Sequence, residues 1–398
     1  MAKWADNEEI QIFREYLQIP SVHPDIDYTP CVEFLRRQAE SLELPISVYY
    51  PADENNPVIV ISWEGSQPEL PSIMLNSHMD VVPVFEDRWT HAPFGAEIDN
   101  DGKIFGRGAQ DMKCLGTQYL AAIRALKRDG TNQLKRTIHV TFVPDEEVGG
   151  ELGMKSFVTT QAFKELNVGL SLDEACASDE DNFFLFNGER TVYDIELTCN
   201  GQSGHGSSWF KNTPGEKLRH ILDKFMDYRT KEIVKISENV PIGETTSINL
   251  TMINGGVQIN VVPAEIKLSF DIRLAVGQDQ DAFEAMIRQW CEEAGGDIDL
   301  KYISKDPTAP VSIADDRNPF WVAFKSATDE LKLTLRVMAC PGCTDARFIR
   351  QLNIPAFGFS PMRNTRRTLH DHDEFVYADG YLEGINIYRK IISNVANV

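Results

Sequence analysis

The segment Phe142-Val143-Pro144-Asp145-Glu146-Glu147-Val148-Gly149-Gly150 sets three consecutive carboxylates just before a glycine pair. Like charges this close repel, and each raises the others' pKa unless something positive stands nearby. Other loops offer donors of the same kind. His78-Met79-Asp80 follows an apolar run, and Asp173-Glu174 follows another. Asp111 precedes a helical stretch, and Thr368-Leu369-His370-Asp371-His372-Asp373-Glu374 holds two of the chain's eight histidines. Each alone has an ordinary explanation: His-x-Asp arises by chance, and Asp111 is a preferred residue for a helix N-cap. Together, five loops carrying carboxylate and imidazole point to a hard-to-borderline divalent metal such as zinc. A dication would offset the repulsion in Asp145-Glu146-Glu147. Asp80 could then hold His78 in one tautomer, as metal-binding histidines require.

These loops need elements to position them. Pro71–His78, Thr137–Val143 and Val168–Leu172 read as strands, and Lys113–Arg128 has helical apolar spacing. Strands alternating with helices predict an α/β layer structure with a largely parallel sheet, in which ligands sit beyond the carboxyl ends of strands. From residue 188 the pattern changes. A strand at Thr191–Cys199, a helix after Thr213-Pro214-Gly215-Glu216, strands at Thr246–Ile253 and Glu265–Leu274, a helix at Asp281–Glu293 and a strand at Ile298–Ile303 give the order βαββαβ. The expected organisation is a first part of an α/β domain at 1–187, an inserted module at 188–306, and the rest of the first domain at 307–398.

Composition narrows the partners. The 398 residues, 42% hydrophobic and 25% charged, exceed the usual size of a single core, so two domains are expected. A formal net charge of −21 disfavours nucleic acid and anionic membrane as partners. The start, MAKWADNEEIQIF, lacks the apolar core of a signal peptide, and no apolar run approaches membrane-spanning length. Seven scattered cysteines fit buried thiols in a reducing, cytoplasmic compartment better than a disulfide framework. Cys340-Pro341-Gly342-Cys343 is a lone C-x-x-C; with no second pair to complete a zinc knuckle, it reads as a tight loop after a strand.

Seven segments, SHMDVVP (Ser77–Pro83), GRGAQDMK (Gly106–Lys113), PDEEVGG (Pro144–Gly150), LDEA (Leu172–Ala175), GHGS (Gly204–Ser207), GGVQINVVP (Gly255–Pro263) and LHDHDE (Leu369–Glu374), resemble the dinuclear-zinc aminoacylase and carboxypeptidase-G-like metallopeptidase family. The resemblance runs nearly the whole chain, with the motifs in the family's order. FGFSPMR and LHDHDE most resemble its members that release amino acids from N-acyl-L-amino acids. It implies a zinc-dependent exopeptidase-like catalytic domain with an inserted ferredoxin-like lid and dimerisation domain, two zinc ions per subunit and a cytoplasmic homodimer. Implied zinc ligands are His78, Asp111, Glu147, Glu174 and His370, with Asp111 bridging. Asp80 would orient His78, and Glu146 would be the general base. The family pattern favours Glu174 over Asp173 and His370 over His372. His205 would reach a partner subunit's active site and help hold the oxyanion, and Asn260 and Arg273 would meet the substrate's carboxylate. Without the resemblance, His205 is a loop residue and Arg273 a surface cation on a strand tip. Family members commonly have Gly where this chain has Ala175. Glu146 and Glu147 are expected on extended chain, where neighbouring side chains point apart. The implied reaction is hydrolysis of N-acyl-L-amino acids, especially N-acetyl ones. A sibling dipeptidase or acylornithine deacylase, and a non-catalytic metal-binding scaffold, are the competing readings.

Overall fold

Alternating faces of four aliphatic strands explain the main sheet. Ile59, Ile61, Ile73, Leu75, Val140, Phe142 and Leu172 enter one buried cluster, while Val58, Val60, Met74 and Val143 enter a second. Side chains of a strand alternate, so a sheet covered on both faces must be apolar at successive positions. The computed structural model describes residues 2–398. Its eight-stranded sheet runs in the order Ile46–Tyr49, Val58–Trp63, Ile138–Val143, Ser72–His78, Val168–Asp173, Ala356–Phe359, Phe183–Glu189, Leu335–Cys340. The four strands from Ile138–Val143 to Ala356–Phe359 are mutually parallel. Val58–Trp63 and Phe183–Glu189 join them antiparallel, so the sheet is mixed rather than largely parallel.

Helix Lys113–Arg128 is buried along most of its length. Gly116 lets it rest directly on the sheet, because a Cβ there would lie 2.6 Å from the Phe142 ring and 2.7 Å from Ser77 Oγ. Burying each Leu, Ile or Phe side chain in such a layer contributes about 1.5–3 kcal/mol.

The chain divides into two compact units. The first comprises residues through Asn187 with Ser312–Met338 and Thr344–Val398, and the second comprises Gly188–Val311 with Ala339–Cys343. The expectation that everything after 306 rejoins the first domain therefore needs correcting at two places. Val311 packs on Gly188, where an added Cβ would sit 3.1 Å from Val311 Cγ2. Arg190 donates from its backbone N–H to Cys340 O at 3.2 Å and from Nε to Pro341 O at 2.6 Å. Strand Leu335–Cys340 ends at the first cysteine of the C-x-x-C.

In the second unit, four antiparallel strands run in the order Ser247–Gly255, Glu265–Leu274, Thr191–Asn200, Ile298–Lys305. Tyr193, Ile195, Leu197 and Cys199 point alternately inward, onto Ile221 and Phe225 of helix Pro214–Ser237 and Phe283 and Ile287 of helix Gln280–Glu293. Thr213 and Glu216 form a reciprocal capping box, with Pro214 at the first helical position. This is a βαββαβ module. Among the described residues, no helix is long and apolar enough to cross a membrane.

Candidate metal centre

Parallel strands deliver the first donors. His78 ends strand Ser72–His78 and pairs with Val143, so the Asp145-Glu146-Glu147 turn leaves the neighbouring strand beside it. Glu174 follows strand Val168–Asp173 on the other side. Gly358 makes room there, since a Cβ would lie 2.1 Å from Glu174 O. Ala175 fits its place by exchanging hydrogen bonds with Ser360: its N–H donates to Oγ at 2.9 Å, and Oγ donates to its carbonyl at 2.8 Å.

Asp111 does not cap its helix. Met112 holds the cap position, without a side-chain bond, and the Asp111 carboxylate turns toward two histidines. Oδ1 lies 3.0 Å from His78 Nε2, and Oδ2 lies 3.2 Å from His370 Nε2. His370 Nε2 is also 2.9 Å from Glu147 Oε2, and His78 Nε2 is 3.7 Å from Glu174 Oε1. Two donor groups result, His78–Asp111–Glu174 and Asp111–Glu147–His370, each with its ligand atoms within 4.8 Å of one another. Asp111 belongs to both.

The neighbours are otherwise employed. Asp173 Oδ1 accepts from the Glu174 N–H at 2.9 Å and from Asn76 Nδ2 at 3.4 Å. The His372 ring meets Phe85 edge-on at 6.4 Å. Asp373 ties down another loop, accepting from Thr90 N at 2.8 Å and Thr90 Oγ1 at 2.7 Å.

Glu146 and Glu147 do not lie on extended chain. They open a single 3₁₀ turn, Glu146–Val148. With about three residues per turn, adjacent side chains still diverge, by roughly 120°. Gly149 (φ 116°) and Gly150 (φ 71°) continue the bend in a region that favours glycine. Asp145 (φ 72°) and His370 (φ 59°) are left-handed too, a conformation costing of order 1–3 kcal/mol each and found where the surroundings over-determine it.

The electrostatics answer the question raised by the three carboxylates. Burial, and then the Asp111 charge, push Glu147 up to about 7 despite its His370 contact. Burial likewise lifts Glu146 and Glu174 well above the carboxylate range; Asp345 and Glu147 add to the rise of Glu146, and Asp111 to that of Glu174. Asp111 behaves oppositely. Burial opposes its ionisation, but the hydrogen bonds from His370 and His78 outweigh burial and hold it below the usual range. His370 rises to about 10 through its bonds to Asp111 and Glu147. Such a donor set is short of positive charge. Glu147 Oε1 is buried without a hydrogen-bond partner among the described residues. Imidazole and carboxylate are zinc donors, so the residues fit a pair of divalent ions.

Sequence reasoning missed two supports. Glu374, buried and paired with Arg107 at 2.7 Å, accepts from the N–H groups of Gly108, Gln110 and Asp111 at 3.1, 2.6 and 3.2 Å. It thereby locks the Asp111 loop to the His370 loop. Its only signal was adjacency to the His370 motif. His23 Nε2 lies 2.8 Å from Asp80 Oδ2; a lone histidine before proline carried no signal at all.

The remaining site residues lie in the second unit. His205 is exposed, with Nδ1 2.8 Å from Ser207 Oγ. It pairs with Val261 across a two-stranded ladder, and the next residue, Gly206, donates to Asn260 O at 2.7 Å, so His205 and Asn260 are neighbours. Arg273 donates from Nε and Nη2 to Asp271 at 3.2 and 3.0 Å.

Residues 74–394 match the model of peptidase family M20/M25/M40. Aminoacylase-1 of Sus scrofa is 43% identical over 394 residues, covering 99% of this chain and 96% of that one. Among solved structures, an M20 family metallo-carboxypeptidase from Sulfolobus solfataricus superposes with a TM-score of 0.72 at 18% identity, over 98% of this chain and 100% of that one. A dinuclear metal binding peptidase of the M20 family from Bacillus subtilis gives 0.68 at 17% identity, over 98% and 97%.

Proposed function

Because the chain belongs to peptidase family M20/M25/M40, we propose that it is a dinuclear-zinc amidohydrolase cleaving N-acyl-L-amino acids, N-acetyl ones above all, to a carboxylate and a free L-amino acid. One observation carries the chemistry: Asp111 is common to two donor groups, with Glu146 directly beside the ligand Glu147. The substrate class is supported by the 43% identity to an aminoacylase-1 over 99% of the chain.

His78 and Glu174 would hold one ion, Glu147 and His370 the other, and Asp111 both. Bound there, the ions supply Lewis acidity and an attacking water of lowered pKa. Glu146 accepts a proton from that water as the C–O bond forms at the acyl carbon. It returns the proton to the amine nitrogen as the C–N bond breaks. Asp80 keeps His78 in one tautomer. His205, from the partner chain of a homodimer, donates to the developing oxyanion. Asn260 and Arg273 take the substrate's carboxylate. The buried thiols of Cys31, Cys114, Cys176, Cys199 and Cys291 support a reducing cytoplasm as the working compartment.

The test is metal analysis of the purified protein with one turnover assay. About two zinc per chain, one for each donor group, together with turnover of N-acetylmethionine, is the expected result. Hydrolysis of dipeptides but not N-acetylmethionine would move the protein to the sibling dipeptidases. Absence of bound metal would overturn the mechanism.

Arg273 bears on substrate polarity. Its planar fork matches a carboxylate, and Asp271 already aligns it. Arg273→Ala should raise KM for N-acetylmethionine roughly ten- to a hundredfold, the worth of charge-assisted hydrogen bonds. The corresponding carboxamide should change far less. Equal losses on both would remove Arg273 from carboxylate recognition.

A further inference from the structure

We propose that His23 is a positioning residue for the metal centre, acting through Asp80 on His78, Glu146 and Glu147; the proposal rests on the dinuclear reading above. Asp80 is fully buried and serves as a hub. Its Oδ1 accepts from the Glu146 N–H at 3.2 Å and stands 3.5 Å from His78 Nδ1, which lies 2.9 Å from the Asp80 carbonyl. Its Oδ2 accepts from the Glu147 N–H at 3.0 Å and from His23 Nε2 at 2.8 Å. Asp80 thus sets a ligand through its carbonyl, and the general base and a second ligand through its carboxylate, to which the His23 side chain is hydrogen-bonded.

The backbone holds His23 at this post. Val22 and Val81 form a parallel bridge, Val81 N–H donates to Ser21 O at 2.9 Å, and His23 N–H donates to Val81 O at 3.2 Å. Ser21 Oγ donates to Met79 O at 2.5 Å. The segment carrying His23 is therefore laced to the segment carrying Asp80. On its other side, His23 lines a cavity of about 680 Å³ together with Asp25, Asp27 and Glu54. Removing the imidazole would let water from that cavity reach Asp80 Oδ2 and compete with the Glu147 N–H. The turn bearing Glu146 and Glu147 would then lose its fixed anchor, although no metal-facing atom has been touched. Partners one step beyond metal ligands, the place Asp80 holds, typically matter about ten- to a hundredfold in affinity or activity; His23, one step further out, is expected at the low end.

The experiment compares zinc retention by the full-length protein against a competing chelator, without substrate, and then kcat and KM on N-acetylmethionine. His23→Leu keeps the bulk and removes the donor. His23→Gln restores an amide Nε2 the same number of bonds from Cβ. The expected result is about tenfold weaker zinc retention and a similar fall in kcat for His23→Leu, KM unchanged, with His23→Gln close to wild type. Wild-type zinc retention and kcat in His23→Leu would overturn the proposal. So would a glutamine variant as impaired as leucine, because donation alone would then not explain the role. Should His23→Leu fail to fold, His23→Asn, whose amide is one bond too short, takes its place with the same expectations. A wild type that holds zinc but ignores acyl amino acids would sink the substrate assignment and leave the zinc comparison decisive. A wild type that holds no zinc would overturn both readings.

Discussion

Glu146→Gln should lower turnover of N-acetylmethionine by about a hundred- to ten-thousand-fold, the usual range for general-base catalysis, with bound zinc unchanged. The substitution keeps the shape of the side chain and leaves its backbone N–H to Asp80 Oδ1 in place. It removes only the capacity to take a proton from water and return it to the amine. Glu146 belongs to neither donor group, so metal content serves as the internal control. Loss of metal along with activity would reassign Glu146 as a ligand. Wild-type turnover would remove it from the mechanism.

A chain carrying His205→Asn should be nearly inactive, and so should one carrying Glu146→Gln, yet the two refolded together should regain activity. A preorganised donor to an oxyanion is typically worth about a hundred- to a thousandfold. The donor groups lie wholly in the first unit and His205 in the second, exposed and flanked by Gly204 and Gly206. If His205 serves the partner's site, a mixed dimer contains one site with both residues intact. Random pairing would then restore about a quarter of all sites in a two-fold dimer. If His205 serves its own chain, every site lacks one residue and the mixture stays inactive. The inactive outcome would end the trans assignment and the need for a dimer in catalysis.

Much of the molecule was legible because its signals are local. Helix Lys113–Arg128 has the bounds read from its apolar spacing, and strand Glu265–Leu274 those read from its alternation. Thr213, Pro214 and Glu216 announce a helix start by their types alone. Of the five residues that the tertiary structure gathers into two donor groups, His78 ends a strand, Glu147 lies in a 3₁₀ turn, and Asp111, Glu174 and His370 stand in loops; residue type and motif order mark these segments. Strand direction was less accessible. Val58–Trp63 runs against Ile138–Val143 and Phe183–Glu189 against Ala356–Phe359, and nothing in an aliphatic run says which way it will be laid.

Selection between adjacent donors lay outside the sequence's reach. Asp173 and Glu174 are both carboxylates, and it is the Glu174 N–H and Asn76, on the neighbouring strand, that engage Asp173 Oδ1. Asp111 is as good an N-cap as a ligand until His78 and His370 bracket it, one on each oxygen. Glu146 and Glu147 diverge through a 3₁₀ turn, because Asp80, from the neighbouring strand's loop, accepts both of their N–H groups. His23 and Glu374 gain their roles only from partners 57 and 263 to 267 residues away. Residue type and spacing along the chain determine which chemistry is available. Which oxygen meets which nitrogen depends on hydrogen bonds between segments far apart in sequence, and those exist only once the sheet has brought the loops together.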